Sequence, residues 1–188
     1  MSEEINFIYD ATEESMQKSL AHLEKELKGI RAGKASPNML SGVMVDYYGN
    51  PTPLSQVANV GVRDARTVTI QPWEKKMLSH IERAIINSNL GFAPNNNGEM
   101  VIINIPPLTE ERRKNLVKQA KDEAEIARVS IRNIRKDANN DIKKLEKDKE
   151  ISEDESKDAH EEIQKMTDNF IKEIEKHLEK KEKDIMTV

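Results

Sequence analysis

The chain has 188 residues, of which 34% are charged and only 4% aromatic, with a net charge of −4. Such a composition indicates a helix-rich protein with a modest core and much solvated surface. It contains no cysteine, which excludes disulfide and thiol chemistry and suits the cytoplasm. No apolar run approaches the roughly 20 residues needed to span a bilayer, and residues 1–10 lack the basic start of a secretory signal, so no membrane association is expected.

The first element is a helix over Ser2 to Ile30. Met16, Leu20, Leu23, Leu27 and Ile30 step by 4, 3, 4 and 3, a seam suited to a packed bundle. Gly29, Gly33 and Pro37 end it.

The character then changes, because six of the seven glycines and all seven prolines lie between Gly33 and Pro107. Val43 to Tyr48 is a short strand pattern, and Gly49-Asn50-Pro51 signals a turn. Val57 to Val62 and Thr67 to Gln71 are expected strands, with Arg63-Asp64-Ala65 between them. Met77 to Asn89 is an expected helix with Met77, Leu78, Ile81, Ile85 and Ile86 on one side. Asn95-Asn96-Asn97-Gly98 is expected to turn into a last strand, Met100 to Ile105. Trp73, Tyr47, Tyr48 and Phe92 all fall in this stretch and are expected in or near its core.

Helical periodicity returns at Thr109, a suitable N-cap with Glu110 and Glu111 in the first turn. From Leu116 through Ala120, Ala124, Ala127, Ile131, Ile134, Ala138 and Ile142 to Leu145, apolar residues recur at about 3.6-residue steps. A break follows near Lys149-Glu150-Ile151. Ser152 and Glu155 then form a capping box opening a final helix, with Ala159, Ile163, Met166, Phe170, Ile174, Leu178 and Ile185 inward.

None of the three long helices can bury its stripe alone. The expected fold is α+β: an elongated antiparallel three-helix bundle from residues 1–30 and 109–188, with a small α/β (β/α/β) domain, residues 31–108, inserted in it. That insertion includes both crossings, Ala32-Gly33-Lys34-Ala35-Ser36-Pro37 and Asn104-Ile105-Pro106-Pro107. Two short non-helical crossings predict a hinge.

Charge is distributed unevenly. Residues 110–136 hold nine basic and five acidic side chains, whereas residues 137–188 hold eleven basic and seventeen acidic. On the second long helix Lys114, Lys121, Arg128 and Arg135 recur every seven residues, with Arg132 between the last two. At about 100° per residue the five fall within roughly 60° of arc, centred about 90° from the core stripe. Arginine's planar fork matches phosphate oxygens, and a row with about 10 Å between members can track an RNA backbone. A solvated face stabilised by pairs such as Glu125–Arg128 and Glu111–Lys114 would show the same charge pattern.

Catalytic motifs are absent. Gly29-Ile30-Arg31-Ala32-Gly33-Lys34-Ala35-Ser36 has three residues between its glycines and Ala35 after the lysine, where a phosphate-binding loop needs four and a Ser or Thr. His22, His80, His160 and His177 are scattered, and Gln164 stands where a zinc-protease helix needs a second histidine, so the four are expected at the surface. No metal, cofactor or nucleophile–base pair is indicated, and the expectation is a non-enzyme.

Several stretches resemble the bacterial ribosome recycling factor family. They are Arg31 to Pro37; Tyr47-Tyr48-Gly49 with Pro51 and Pro53-Leu54; Pro106 to Lys114; Ala127 to Asn139; and Lys147 to Asp154. The resemblance runs along essentially the whole chain in order. It implies an L-shaped, monomeric, cytoplasmic protein that enters the post-termination ribosome and lays its helical arm along large-subunit ribosomal RNA. It also implies elongation factor G with GTP as the partner in splitting the subunits. By the same resemblance Arg113, Arg132 and Arg135 are RNA contacts, with Arg128 beside them; Lys114 and Lys121 complete the RNA-binding set. The acidic last helix departs from a broad basic surface, which confines the expected RNA contact to the second long helix. The competing reading is a coiled-coil structural or holdase-like adaptor, which has no need of a basic heptad row.

Overall fold

The computed structural model describes residues 2–187. They form two compact units: one made of the chain up to Ala32 and from Glu110 onward, the other Gly33–Thr109.

The first unit is three helices, α1 (Glu3–Gly29), α3 (Glu110–Lys147) and α4 (Glu153–Met186), each packed on the other two. Ser2 caps α1 by accepting from Ile5 N. The helix stops where Ile30 turns extended, its N–H donating back to the Glu26 and Leu27 carbonyls. The 38 residues of α3 correspond to about 57 Å of helix at 1.5 Å per residue. Lys149 closes α3 in a left-handed conformation, φ 61. Its N–H reaches the Glu146 carbonyl, and Glu150 N–H reaches the Leu145 carbonyl, which satisfies two terminal acceptors. Ile151 then dips into the core, and Ser152 with Glu155 forms a reciprocal capping box on α4. One end of the bundle is a cluster of Ile5, Ala138, Ile142, Ile151, Ala159 and Ile163. It sets the start of α1 against the end of α3 and the start of α4, so α3 runs antiparallel to its neighbours. Thr12 and Thr167 are buried, and each hydroxyl donates to the carbonyl four residues earlier.

The second unit holds α2 (Leu78–Asn87) and six strands: β1 (Met44–Tyr47), β2 (Asn50–Pro53), β3 (Ala58–Asp64), β4 (Thr67–Pro72), β5 (Pro94–Asn96) and β6 (Val101–Asn104). β1 and β2 form a hairpin; the other four make a sheet in the order β3-β4-β6-β5, every neighbouring pair antiparallel. The apolar side of α2 (Leu78, Ile81, Ile85) closes over Val45, Ile70 and Val101.

Three local expectations are corrected. Ile86 is exposed, because its position lies about 100° round the helix from Ile85. Asn95 and Asn96 pair with β6 as part of β5, and the turn comes after them, where the Asn97 side-chain carbonyl accepts from Glu99 N and Met100 N. The hairpin turn is Tyr48-Gly49, both at positive φ (51 and 82), so Asn50 and Pro51 already belong to a strand. Two consecutive left-handed residues match the twist of an antiparallel hairpin.

Both crossings are tied to the β3–β4 turn. Ala35 N donates to the Ala65 carbonyl at 2.8 Å, and Ile105 N to the Arg66 carbonyl at 2.7 Å. Gly33 sits at φ +71, and a Cβ placed there would lie 2.6 Å from Leu108 Cγ. The two crossings therefore touch at Gly33 and Leu108, a fit that only glycine allows.

Candidate RNA interface

The basic row lies along α3 on the side facing α4. Exposure follows angular distance from the core stripe. Lys114 and Arg132, farthest from the stripe, have side chains 71% and 48% exposed; Arg128, about 40° nearer, falls to 21%. Arg135 is half-buried, and Lys121 is exposed. Arg113 is half-buried in the first turn of α3, at the angular position of the core residue Ile131, so it stands outside the row.

Acidic or polar side chains meet all five cations of the row. Arg128 Nε donates to Glu175 Oε1 at 2.7 Å, and its Nη1 to Glu125 Oε2 at 2.8 Å. Arg132 Nη2 donates to Glu125 Oε1 at 2.7 Å, so Glu125 bridges two arginines. Lys121 Nζ lies 3.4 Å from Glu182 Oε1, an oxygen shielded from solvent. Arg135 Nη1 donates to Gln164 Oε1 at 3.1 Å, and Gln164 in turn donates to Asp168 at 2.8 Å. Lys114 pairs with Glu110 at 2.9 Å, one turn earlier, rather than with Glu111.

The charges respond to this arrangement. Hydrogen bonds from Arg132 and then Arg128 hold the Glu125 carboxyl below its usual range. The Glu175 hydrogen bond raises Arg128 further above the ordinary guanidinium value. Both arginines keep N–H donors that these carboxylates leave unused, which can face an incoming anion.

The sequence reading caught the cations and the Glu125–Arg128 pair but missed Glu175 and Glu182. Their signal was available: Asp168, Glu175 and Glu182 recur every seven residues on α4, as Arg135, Arg128 and Lys121 do on α3. Two further expectations are corrected. Trp73 and Tyr48 are exposed, at 68% and 64%. Tyr47 and Tyr48 both donate to the Glu74 carboxylate, and Lys76 Nζ lies 4.7 Å from the Tyr48 ring centroid. His160 and His177 are half-buried rather than superficial: His160 Nδ1 meets Asn139 at 2.7 Å, and His177 Nε2 meets Glu24 at 3.1 Å, each tying two helices of the bundle. Among the described residues no helix is long and apolar enough to cross a membrane.

The family model described as "Ribosome recycling factor" matches residues 23–186. The chain belongs to the ribosome recycling factor family. A ribosome-recycling factor of Flavobacterium johnsoniae is 62% identical over 188 residues, covering all of both chains. That of Sulfurovum sp. is 55% identical over 184 residues, covering 98% of this chain and all of the other. Among solved structures, the solution structure of a ribosome recycling factor covers both chains completely, with a TM-score of 0.72 and 38% identity. A T. thermophilus ribosome recycling factor, from models of it and of E. coli elongation factor G bound to the E. coli post-termination complex, is similar with a TM-score of 0.60 and 48% identity. It covers 97% of this chain and 99% of the other. Family members are translation factors, and with that assignment the coiled-coil adaptor reading lapses.

Proposed function

We propose that this chain binds the post-termination ribosome by laying α3 along large-subunit ribosomal RNA, and that elongation factor G with GTP then drives the subunits apart. The observation that carries the RNA contact is the row itself: Lys114, Lys121, Arg128, Arg132 and Arg135 share one arc of α3, with charge-assisted donors spaced to meet phosphates. Arg113, at the start of the same helix, extends the contact beyond the row. The acidic α4 flanks the row and supplies no phosphate contact of its own.

The protein acts as a monomer in the cytoplasm, where ribosomes work, and is not an enzyme; the GTP turned over during splitting is the elongation factor's. The Gly33–Thr109 unit moves as a body about its crossings. Because Ala35 and Ile105 are hydrogen-bonded to the β3–β4 turn, the moving segments narrow to Arg31–Lys34 and Pro106–Thr109. A splitting assay with purified post-termination ribosomes, elongation factor G and GTP tests the reading. Light scattering should fall when this chain is added. It should fall far more slowly with Arg132→Ala/Arg135→Ala, at unchanged helicity. Splitting at the wild-type rate by that variant would refute the role of the row.

A further inference from the structure

The cations of α3 face a second, complementary row. In the antiparallel register of α3 and α4, Arg135, Arg128 and Lys121 come level with Asp168, Glu175 and Glu182, each series stepping by seven residues. Arg128 meets Glu175 at 2.7 Å and Lys121 meets Glu182 at 3.4 Å, while Arg135 reaches Asp168 through Gln164. Glu125 adds a carboxylate from α3 itself, shared between Arg128 and Arg132 at 2.8 and 2.7 Å.

A carboxylate and a phosphate offer a guanidinium the same chemistry: two oxygens accepting parallel N–H bonds. A phosphate approaching Arg128 therefore finds a carboxylate already bonded there. It must displace that carboxylate, or lie beside a like charge. Binding becomes an exchange of one anion for another rather than the capture of a bare cation. RNA held by electrostatics alone gains little from such an exchange, since nonspecific binding consists almost entirely of the phosphate term.

We infer that Glu125, Glu175 and Glu182 are specificity-determining residues that stand in for phosphate and keep generic RNA off the α3 row. This rests on the proposal that the row is the RNA-binding surface. The exchange weakens the phosphate contacts of Lys121, Arg128 and Arg132, so RNA that fits the protein by shape as well as charge retains useful affinity, and other RNA does not.

The test uses the full chain and poly(U) RNA as the generic probe, with binding read by fluorescence anisotropy at fixed salt. Surface ion pairs are worth about 0.2–1 kcal/mol each, and the double variant removes three of them, so Glu125→Gln/Glu175→Gln should bind poly(U) about threefold to 150-fold more tightly than wild type. Glu173→Gln removes one charge, as Glu125→Gln alone does, but on the far side of α4, about 160° round from Glu175, and should have little effect. Glu125→Gln alone lies on the exposed surface and serves if the double variant unfolds. Unchanged poly(U) affinity, or equal tightening by Glu173→Gln, overturns the inference. Arg132→Ala assayed on ribosomes in parallel separates the two claims. If it weakens binding while the glutamine variants do nothing, only the competing-anion role falls. If it leaves ribosome binding intact, the RNA-binding reading of the row falls.

Discussion

Arg128 and Glu175 face each other across the α3–α4 groove, with Arg128 Nε donating to Glu175 Oε1 at 2.7 Å. The pair links the basic helix to the acidic one in a chain of net charge −4. The negative charge of α4 is placed partly against the cations of α3, so the local pattern, rather than the sum, decides what the helix attracts.

The bridge made by Glu125 gives stability a pH dependence of defined sign. Its carboxyl is depressed below its ordinary 4.5, chiefly by Arg132 and next by Arg128. The pair therefore contributes fully above the ordinary carboxylate range, and the contribution is lost as pH falls through the depressed folded value. Melting temperatures of wild type and Glu125→Gln should differ most near neutral pH and converge in acid. A gap that widens below pH 4.5 would contradict the assignment of Glu125 as the arginines' partner.

Gly33 and Gly91 separate backbone strain from packing. Both have positive φ, +71 and +76, but a Cβ at Gly33 meets Leu108 whereas one at Gly91 meets nothing within 4 Å. Gly91→Ala should cost about 1–2 kcal/mol, the left-handed penalty alone. Gly33→Ala should cost more, because Leu108 must also move. Chemical denaturation monitored at Trp73 checks this, and equal losses would show that the Gly33–Leu108 contact is unimportant.

Ile85 and Ile86 are adjacent in sequence and opposite in consequence. Ile85 is 1% exposed in the core of its unit, so Ile85→Ala should cost about 2–5 kcal/mol. Ile86→Ala on the exposed face should change stability by about 0.5 kcal/mol or less. Equal effects in thermal unfolding would contradict the placement of α2 on its sheet.

These cases also mark how far the sequence could be read. The long helices were legible because their apolar steps repeat over many turns, from Met16 to Ile30 and from Leu116 to Leu145, and because Ser152 and Glu155 announce a helix start. Short elements were less legible: β2 begins with Asn50-Pro51, residues that normally signal a turn, and is a strand only because Tyr48 and Gly49 complete the hairpin first. The exposure of Trp73 and Tyr48 was invisible for a related reason, since residue type predicts burial only on average. At the candidate interface the cations could be found from spacing on one helix. Glu175 and Glu182 show the same seven-residue spacing on α4, but which cation each one meets depends on the register of two helices, which tertiary packing sets.

The account stands most directly on Arg132, the exposed arginine that shares Glu125 with Arg128. Each phosphate contact releases counterions, so log affinity falls with log salt by roughly 0.7–0.9 per contact. Ribosome binding measured across a salt series for wild type, Arg132→Ala and Lys172→Ala, with circular dichroism to confirm folding, is the decisive measurement. Arg132→Ala should bind more weakly and flatten the salt slope by about one contact, while Lys172→Ala, on the acidic α4, should follow wild type. Wild-type binding by Arg132→Ala, or equal damage from Lys172→Ala, would contradict RNA recognition by the α3 row.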